Sequence, residues 1–324
     1  MITTGSKIGI VCCSNGQKKE YSEKIRRMEE ILRSIGLQPV FSDYIYAKED
    51  VFSGTGKERA LALMEFYRDD EIKAIFDISG GDIANGILPY LDYDVIAESG
   101  KTFWGYSDLT TVINAIYAKT GKASVLYQIR NVLYDHGAQQ IEDFRNTVIN
   151  RADDLFRIDY RFISSDSVNW CEDTDLGTVN GEYKEPVEKQ VNGKCKEVQR
   201  HVADEKSKAL QGIVVGGNIR CFLKLAGTEY MPDLTDKILL LEGYTGTAAK
   251  METYLCQLEQ LGAFRKVAGI LLGTFTEMQE KNAVPSIETL IKKFAGNDFP
   301  IAVTNQIGHG TDAKGIWIGR ELGQ

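Results

Sequence analysis

The chain has 324 residues, of which 43% are hydrophobic and 26% charged, with a formal net charge of −8. These values suit one large or two medium globular domains with a sizeable core. The acidic balance argues against nucleic acid or an anionic membrane surface as a partner, since either would need a basic face. No stretch reaches the roughly 18 apolar residues of a membrane span.

The start, "MITTGSKIGIVCCSNGQ", lacks a basic segment followed by a long apolar core. It is expected to form a first strand (Ile8 to Val11) and a turn, not a signal peptide. The six cysteines, Cys12, Cys13, Cys171, Cys195, Cys221 and Cys256, show no C-x-x-C spacing. Reduced, mostly buried thiols in a cytoplasmic protein are expected. With only three histidines, His136, His201 and His309, a His-rich metal site is not expected. No cofactor is expected.

After the first strand, "EYSEKIRRMEEILRSIGLQPV" places Ile25, Met28, Ile31, Leu32 and Ile35 at helical spacing, with Gly36 as a stop. "PVFSDYIY" is strand-like. "GKERALALMEFYRDDEI" is helical, and "KAIFDIS" is a strand closed by Gly80-Gly81. "ANGILPYLDYDVIAES" reads as a helix or a pair of turns kinked at Pro89. "KTFWGYS" is a strand, and "DLTTVINAIYAKTG" a helix stopped at Gly121. Such alternation predicts an α/β fold with a parallel sheet covered by helices on both faces. From about residue 165 the chain becomes polar, with hairpin signals at Asn180-Gly181 and Asn192-Gly193. A second apolar block follows, with short buried strands and two or three helices. The expected organisation is an N-terminal α/β domain over 1–165, a connector over 166–210 and a smaller C-terminal α/β domain over 211–324.

Four stretches could carry chemistry. Gly105-Tyr106-Ser107-Asp108 joins a strand to a helix, the setting of a nucleophile elbow. The fifth position is Leu109 rather than the usual glycine, and Ser107 or Asp108 as a plain helix cap stays open. Ser79-Gly80-Gly81-Asp82 ends another strand, where paired glycines let a backbone N–H approach a ligand; a simple turn is the other reading. Glu242 follows three leucines and is costly to bury unless paired. It either orients a histidine or begins a surface loop. His309 lies between two glycines at a strand end. "SGTGKERA" is set aside as a phosphate loop because Glu58 follows Lys57 and the spacing is wrong. A serine, a glutamate and a histidine at three strand ends make up the inventory of a serine hydrolase.

The chain resembles the serine peptidases that comprise LD-carboxypeptidases and microcin C immunity peptidases. The matching pieces are "GTGKERALALMEFYRDDEIKAIFDISGGD", "GYSDLTTVINAIYAKTG", "GGNI", "GTEYMPDLTDKILLLEG", "LCQLEQLGAFRKVAGILLGTF" and "IGHGTD". The resemblance implies Ser107 as nucleophile, Glu242 as triad acid, His309 as base, and an oxyanion hole from the N–H groups of Gly81 and Asp108. It also implies a two-domain α/β fold and a homodimer. "GIWIG" (Gly315 to Gly319) departs from the family's Leu-Pro-Ile-Gly. Trp170, in the long connector, looks like the microcin immunity branch, where a loop tryptophan stacks on a nucleobase; packing within the loop is the alternative. Gly217, Asn218 and Arg220 are further candidates for substrate contact. The expected substrate is a small peptide, a muropeptide or a peptidyl-nucleotide: an adenylate cut in detoxification, or a murein tetrapeptide losing D-alanine. A ligand-binding protein with a silent triad is the reading from another class.

Overall fold

The computed structural model describes residues 2–163 and 210–322. The first stretch runs β1 (Lys7–Val11), α1 (Ser22–Ser34), β2 (Gln38–Phe41), α2 (Gly56–Arg68), β3 (Ile72–Asp77), α3 (Tyr93–Glu98), β4 (Thr102–Gly105), α4 (Thr110–Thr120), β5 (Ser124–Leu126), α5 (Gly137–Arg145) and β6 (Arg161–Phe162). The second runs β7 (Val214–Asn218), α6 (Ile219–Phe222), β8 (Ile238–Gly243), α7 (Ala248–Gln260), α8 (Ala263–Lys266), β9 (Gly269–Phe275), α9 (Thr276–Glu280), α10 (Ile287–Ala295), β10 (Ile301–Val303) and β11 (Ile316–Ile318).

Local chemistry explains the elements that lead to the site. In α1, Ile25, Met28 and Leu32 are buried at helical spacing, while Arg33 pairs with Glu29 on the outer face. The "SGTGKERA" stretch is a helix start. Thr55 Oγ1 accepts from Glu58 N at 3.2 Å and Glu58 Oε2 accepts from Thr55 N at 2.8 Å, a reciprocal capping box. Pro89 sits inside a 3₁₀ segment, Ala84–Tyr90, and α3 starts afresh at the Asp92 cap. The strand expected over "PVFSDYIY" ends at Phe41, because Ser42 Oγ accepts from Tyr44 N at 3.1 Å and turns the chain. The C-terminal block holds five helices rather than two or three; three of them (α6, α8 and α9) have four or five residues, too short for a periodicity to show.

The first sheet has the order β11-β5-β4-β3-β1-β2, and all its pairings are parallel except that of β11. The second has the order β6-β10-β9-β8-β7, parallel except at β6. Each sheet takes one edge strand from the other half of the sequence. Ile316 of β11 pairs with Leu126, and Phe162 of β6 pairs with Ala302. β8 is buried along its whole length, as expected of a parallel strand covered on both faces. One core sets Met28 and Leu32 of α1 and Phe144 of α5 against Ile8, Phe76 and Trp104. On the other face of the sheet, Val112, Ile113 and Ile116 of α4 share a core with Val214, Leu239 and Leu240.

The contact between α4 and β7 is polar as well as apolar. Asn114, fully buried, donates through Nδ2 to Gly216 O at 2.8 Å and accepts from Gly216 N at 2.9 Å. Thr110 Oγ1 accepts from Asn218 N at 3.1 Å. These side chains complete the hydrogen bonding of β7, which lies at the edge of its sheet. Gly217 has φ 131, and a Cβ there would lie 2.8 Å from Thr110 Oγ1. Only glycine permits this approach.

Asn114→Leu should leave a backbone donor and acceptor of Gly216 buried and unpaired. At about 1–3 kcal/mol for each orphaned group, a destabilisation of about 2–6 kcal/mol is expected. Chemical denaturation of the variant and the parent measures it, and equal midpoints would show that the amide contributes nothing.

Candidate active site

Ser107 sits on a strained turn. Tyr106, after β4, is extended, and Ser107 then takes φ 58 in the left-handed region. A single 3₁₀ turn, Ser107–Leu109, leads directly into α4. A non-glycine residue in that conformation costs about 1–3 kcal/mol and marks a place where surrounding packing enforces the backbone. The turn is tight: a Cβ at position 105 would lie 2.7 Å from Leu109 Cβ. Gly105 is therefore required. Leu109 is tolerated in the fifth position because it is already helical and its side chain is fully buried. The helix-cap reading of this stretch does not hold. The positions that precede the two helical segments are Tyr106 and Leu109, and neither makes a side-chain cap.

Glu242 and His309 converge on Ser107. Glu242 is the fifth residue of β8, and the pairing of β8 with β9 slips between Leu241 and Gly243. Such an irregularity re-aims a side chain. The carboxylate is fully buried and is not at a loop surface. His309 lies in the loop between β10 and β11, a loop tied to the end of β9 by Thr274 N donating to Ile307 O at 2.7 Å. His309 Nδ1 is 2.8 Å from Glu242 Oε2, and Nε2 is 3.1 Å from Ser107 Oγ. A carboxylate only accepts, so Nδ1 carries the proton and Nε2 is left to accept from the serine hydroxyl. Two tyrosines hold the imidazole. Tyr244 stacks on it at 4.8 Å between centroids, and Tyr106 meets it edge-on at 5.1 Å. Burial, reinforced by the neighbouring Glu242 charge, pushes the Tyr106 phenol well above its ordinary pKa and keeps it protonated.

The loop after β3 passes against the serine: a Cβ at Gly80 would lie 3.9 Å from Ser107 Cβ. Its start is fixed by the buried Asp77, whose carboxylate accepts from Cys13 N at 2.6 Å and from Ser79 N at 2.6 Å. Burial pushes the Asp77 carboxyl up, and the hydrogen bonds from Ser79 and Cys13 oppose that. Asp108, fully buried beside Ser107, accepts from Ser14 Oγ at 2.6 Å and Ala84 N at 2.8 Å and pairs with Lys224. Arg220 donates to Gly81 O at 2.8 Å and pairs with the Asp82 carboxylate.

Ser107, Gly81, Asn218 and Arg220 all line one cavity of about 560 Å3, within the range of small-ligand sites. Tyr244, Lys250, Tyr254 and Glu277 line it too. Gly217 stands apart: it does not line the cavity and packs on Thr110. Asn218 spends its side chain capping α6, accepting from Cys221 N at 3.3 Å. Trp170 lies outside the described residues. A second cavity, about 290 Å3 beside Trp317, contains none of the candidate residues. Sequence reasoning missed Tyr106, Tyr244 and Lys224. The first two sit next to or two places from a chosen residue, and Lys224 lies one helical turn after Arg220.

Residues 8–128 match the LD-carboxypeptidase N-terminal domain and residues 211–322 match the LD-carboxypeptidase C-terminal domain. The chain is 28% identical to the microcin C7 self-immunity protein MccF of Escherichia coli, over 84% of this chain and 76% of that protein. It is 25% identical to the "Probable murein peptide carboxypeptidase" of Bacillus subtilis, over 85% of this chain and 73% of that one. Its fold superposes on the MccF-like protein from Bacillus anthracis with a TM-score of 0.74 at 26% identity, covering 99% of this chain and 93% of that one. The chain belongs to the LD-carboxypeptidase family and is an enzyme of the serine-type carboxypeptidase class.

Proposed function

We propose that Ser107, His309 and Glu242 form the catalytic triad of this carboxypeptidase. The observation that carries the reading is the continuous chain of contacts, 3.1 Å from Ser107 Oγ to His309 Nε2 and 2.8 Å from Nδ1 to Glu242 Oε2. Ser107 Oγ bonds to the carbonyl carbon as its proton passes to Nε2. Glu242 holds the tautomer and stabilises the imidazolium. The N–H groups of Gly81 and Asp108 take the oxyanion, at about 3–4 kcal/mol for a donor of this kind. The proton on Nε2 then goes to the departing amine. Water, losing a proton to the same nitrogen, cleaves the acyl-enzyme and restores Ser107.

The substrate reading is a peptidyl-nucleotide of the microcin C type, cut at the amide near the peptide C-terminus in detoxification. Support comes from the relative named for microcin C7 self-immunity and from Trp170, whose indole would stack on the base. A murein tetrapeptide losing its terminal D-alanine is the second reading, favoured by the murein-named relative. Lys250, at the start of α7 and on the cavity wall, suits a substrate carboxylate in either case. Free thiols at Cys12, Cys13, Cys221 and Cys256 support a reducing compartment, the cytoplasm. The homodimer is carried over from the family resemblance alone, and sedimentation reads it directly.

A fluorophosphonate probe should label Ser107 and no other residue. Ser107→Ala should lower turnover about 10⁴–10⁶-fold with unchanged melting; labelling elsewhere would remove the assignment. Glu242→Gln should keep the fold and lose about 10⁴-fold, because an amide favours the wrong tautomer. Near-parental turnover would show that Glu242 does not orient the base. For the substrate, Trp170→Ala should weaken kcat/KM on a peptidyl adenylate by about 5- to 150-fold, from the 1–3 kcal/mol of base stacking. It should leave cleavage of a murein tetrapeptide unchanged. Equal loss on both substrates would assign Trp170 to loop packing, and mass spectrometry of the two sets of products decides between the substrates.

A further inference from the structure

The sequence between β7 and β8 contributes two cations, Arg220 and Lys224, that reach into the first half of the chain. Arg220 donates to Gly81 O at 2.8 Å and pairs with Asp82. Lys224 Nζ donates to Asp82 O at 2.8 Å and to Asp108 Oδ1. The two contacts made by Lys224 join the segments on either side of the serine. One is the loop carrying Gly81, and the other is the residue that directly follows Ser107. The same Asp108 carboxylate also accepts from Ala84 N at 2.8 Å and from Ser14 Oγ at 2.6 Å, so both of its oxygens are engaged from several sides.

Asp108 poses an electrostatic problem. A fully buried carboxylate stands one residue from the serine, next to the place where the oxyanion reading puts a second negative charge. Like charges in a low-dielectric pocket repel strongly. Burial of the carboxylate is also costly unless a cation answers it. Lys224 is the cation in direct contact with it, with a side chain only 18% exposed against 0% for Asp108, while the guanidiniums of Arg59 and Arg220 act on it from farther away. Its bonds to Asp82 O and Asp108 Oδ1 hold the ammonium between the two segments.

We propose that Lys224 is a positioning residue for the transition state: it fixes the Gly81 loop against the Asp108 turn and neutralises a carboxylate that would otherwise oppose the oxyanion. It touches no reacting atom. The proposal rests on the reading that the N–H groups of Gly81 and Asp108 form the oxyanion hole.

The test is a double-mutant cycle on the full chain, with Lys224→Met, Asp108→Asn and both together, read by the rate at which a fluorophosphonate labels Ser107. Labelling also develops negative charge on an oxygen held by the hole, so it reports on the same amides. Lys224→Met should slow labelling about 100-fold, comparable to losing one oxyanion donor. On a substrate that is turned over, the loss should fall on kcat, with KM within about threefold. Asp108→Asn in the Lys224→Met background should restore at least about tenfold, since the unanswered charge is gone. Lys224→Arg keeps the charge and should stay within about tenfold of the parent, which keeps the test open should Lys224→Met fail to fold. Equal labelling of Lys224→Met and the parent would overturn the proposal while leaving the triad intact. So would a double variant as slow as Lys224→Met, or a loss confined to KM. Absence of labelling in the parent would instead remove the triad reading itself.

Discussion

The structure depends on one buried helix. From Thr110 to Ile116 every residue of α4 is buried, because the first sheet lies on one side of it and β7 on the other. Its apolar residues fill the core that both sheets share, and Asn114 and Thr110 complete the hydrogen bonding of the β7 edge. An amphipathic surface helix would tolerate small shifts along its axis. A helix buried all round, with two directional polar contacts, does not. The turn that begins it holds Ser107 at φ 58, so the same packing that fixes α4 also supports the strain of the elbow.

The exchanged strands act in the same direction. β6 lies before the connector yet closes the second sheet, and β11 lies at the far end of the chain yet closes the first. The loop carrying His309 runs between β10 in one sheet and β11 in the other. Its two ends are therefore anchored on different sheets. The imidazole is held across that span by Glu242 on one nitrogen, Ser107 on the other, and tyrosines at its face and edge. A histidine held by four partners from two parts of the chain, 106–107 and 242–244, reaches one orientation without a rigid element of its own.

Much of this was legible in the sequence, and the failures have physical causes. The alternation of apolar runs and helical periods from residue 7 to 121 identifies the parallel sheet, since strands covered on both faces read as continuous apolar stretches. The residues Ser107, Glu242 and His309 stood out by their place at strand ends. The role of β11 was not legible: "IWI" has three residues, lies after a loop, and pairs with a strand nearly two hundred positions earlier. Asn114 and Thr110 were hidden because a polar residue inside a helical period reads as its solvent face; nothing local says that a second sheet covers it. Glu242 as a surface residue was a fair alternative for the same reason, since its burial depends on a histidine sixty-seven positions away. Arg220 reads in the sequence as a substrate contact, but two of its contacts are to the Gly81 carbonyl and the Asp82 carboxylate. Charge on a cavity wall does not show in sequence whether it faces the ligand or braces the wall.

Asp108 shows how closely support and chemistry are fused at this site. Its backbone belongs to the turn that presents Ser107, and its side chain ties that turn to Ser14, Ala84 and Lys224. Those three partners come from the loop after β1, the loop after β3 and the segment after β7. A carboxylate can accept from all of them at once because it has about four lone-pair sites and no proton to place. A neutral acceptor such as Asn would hold fewer of these contacts, and a Glu would need space that a fully buried residue lacks. The residue after the nucleophile is thus limited in charge, length and hydrogen-bonding capacity by contacts that face away from the substrate. The cation opposite it follows from the same requirement, because burying a carboxylate this deeply is costly unless a cation pairs with it.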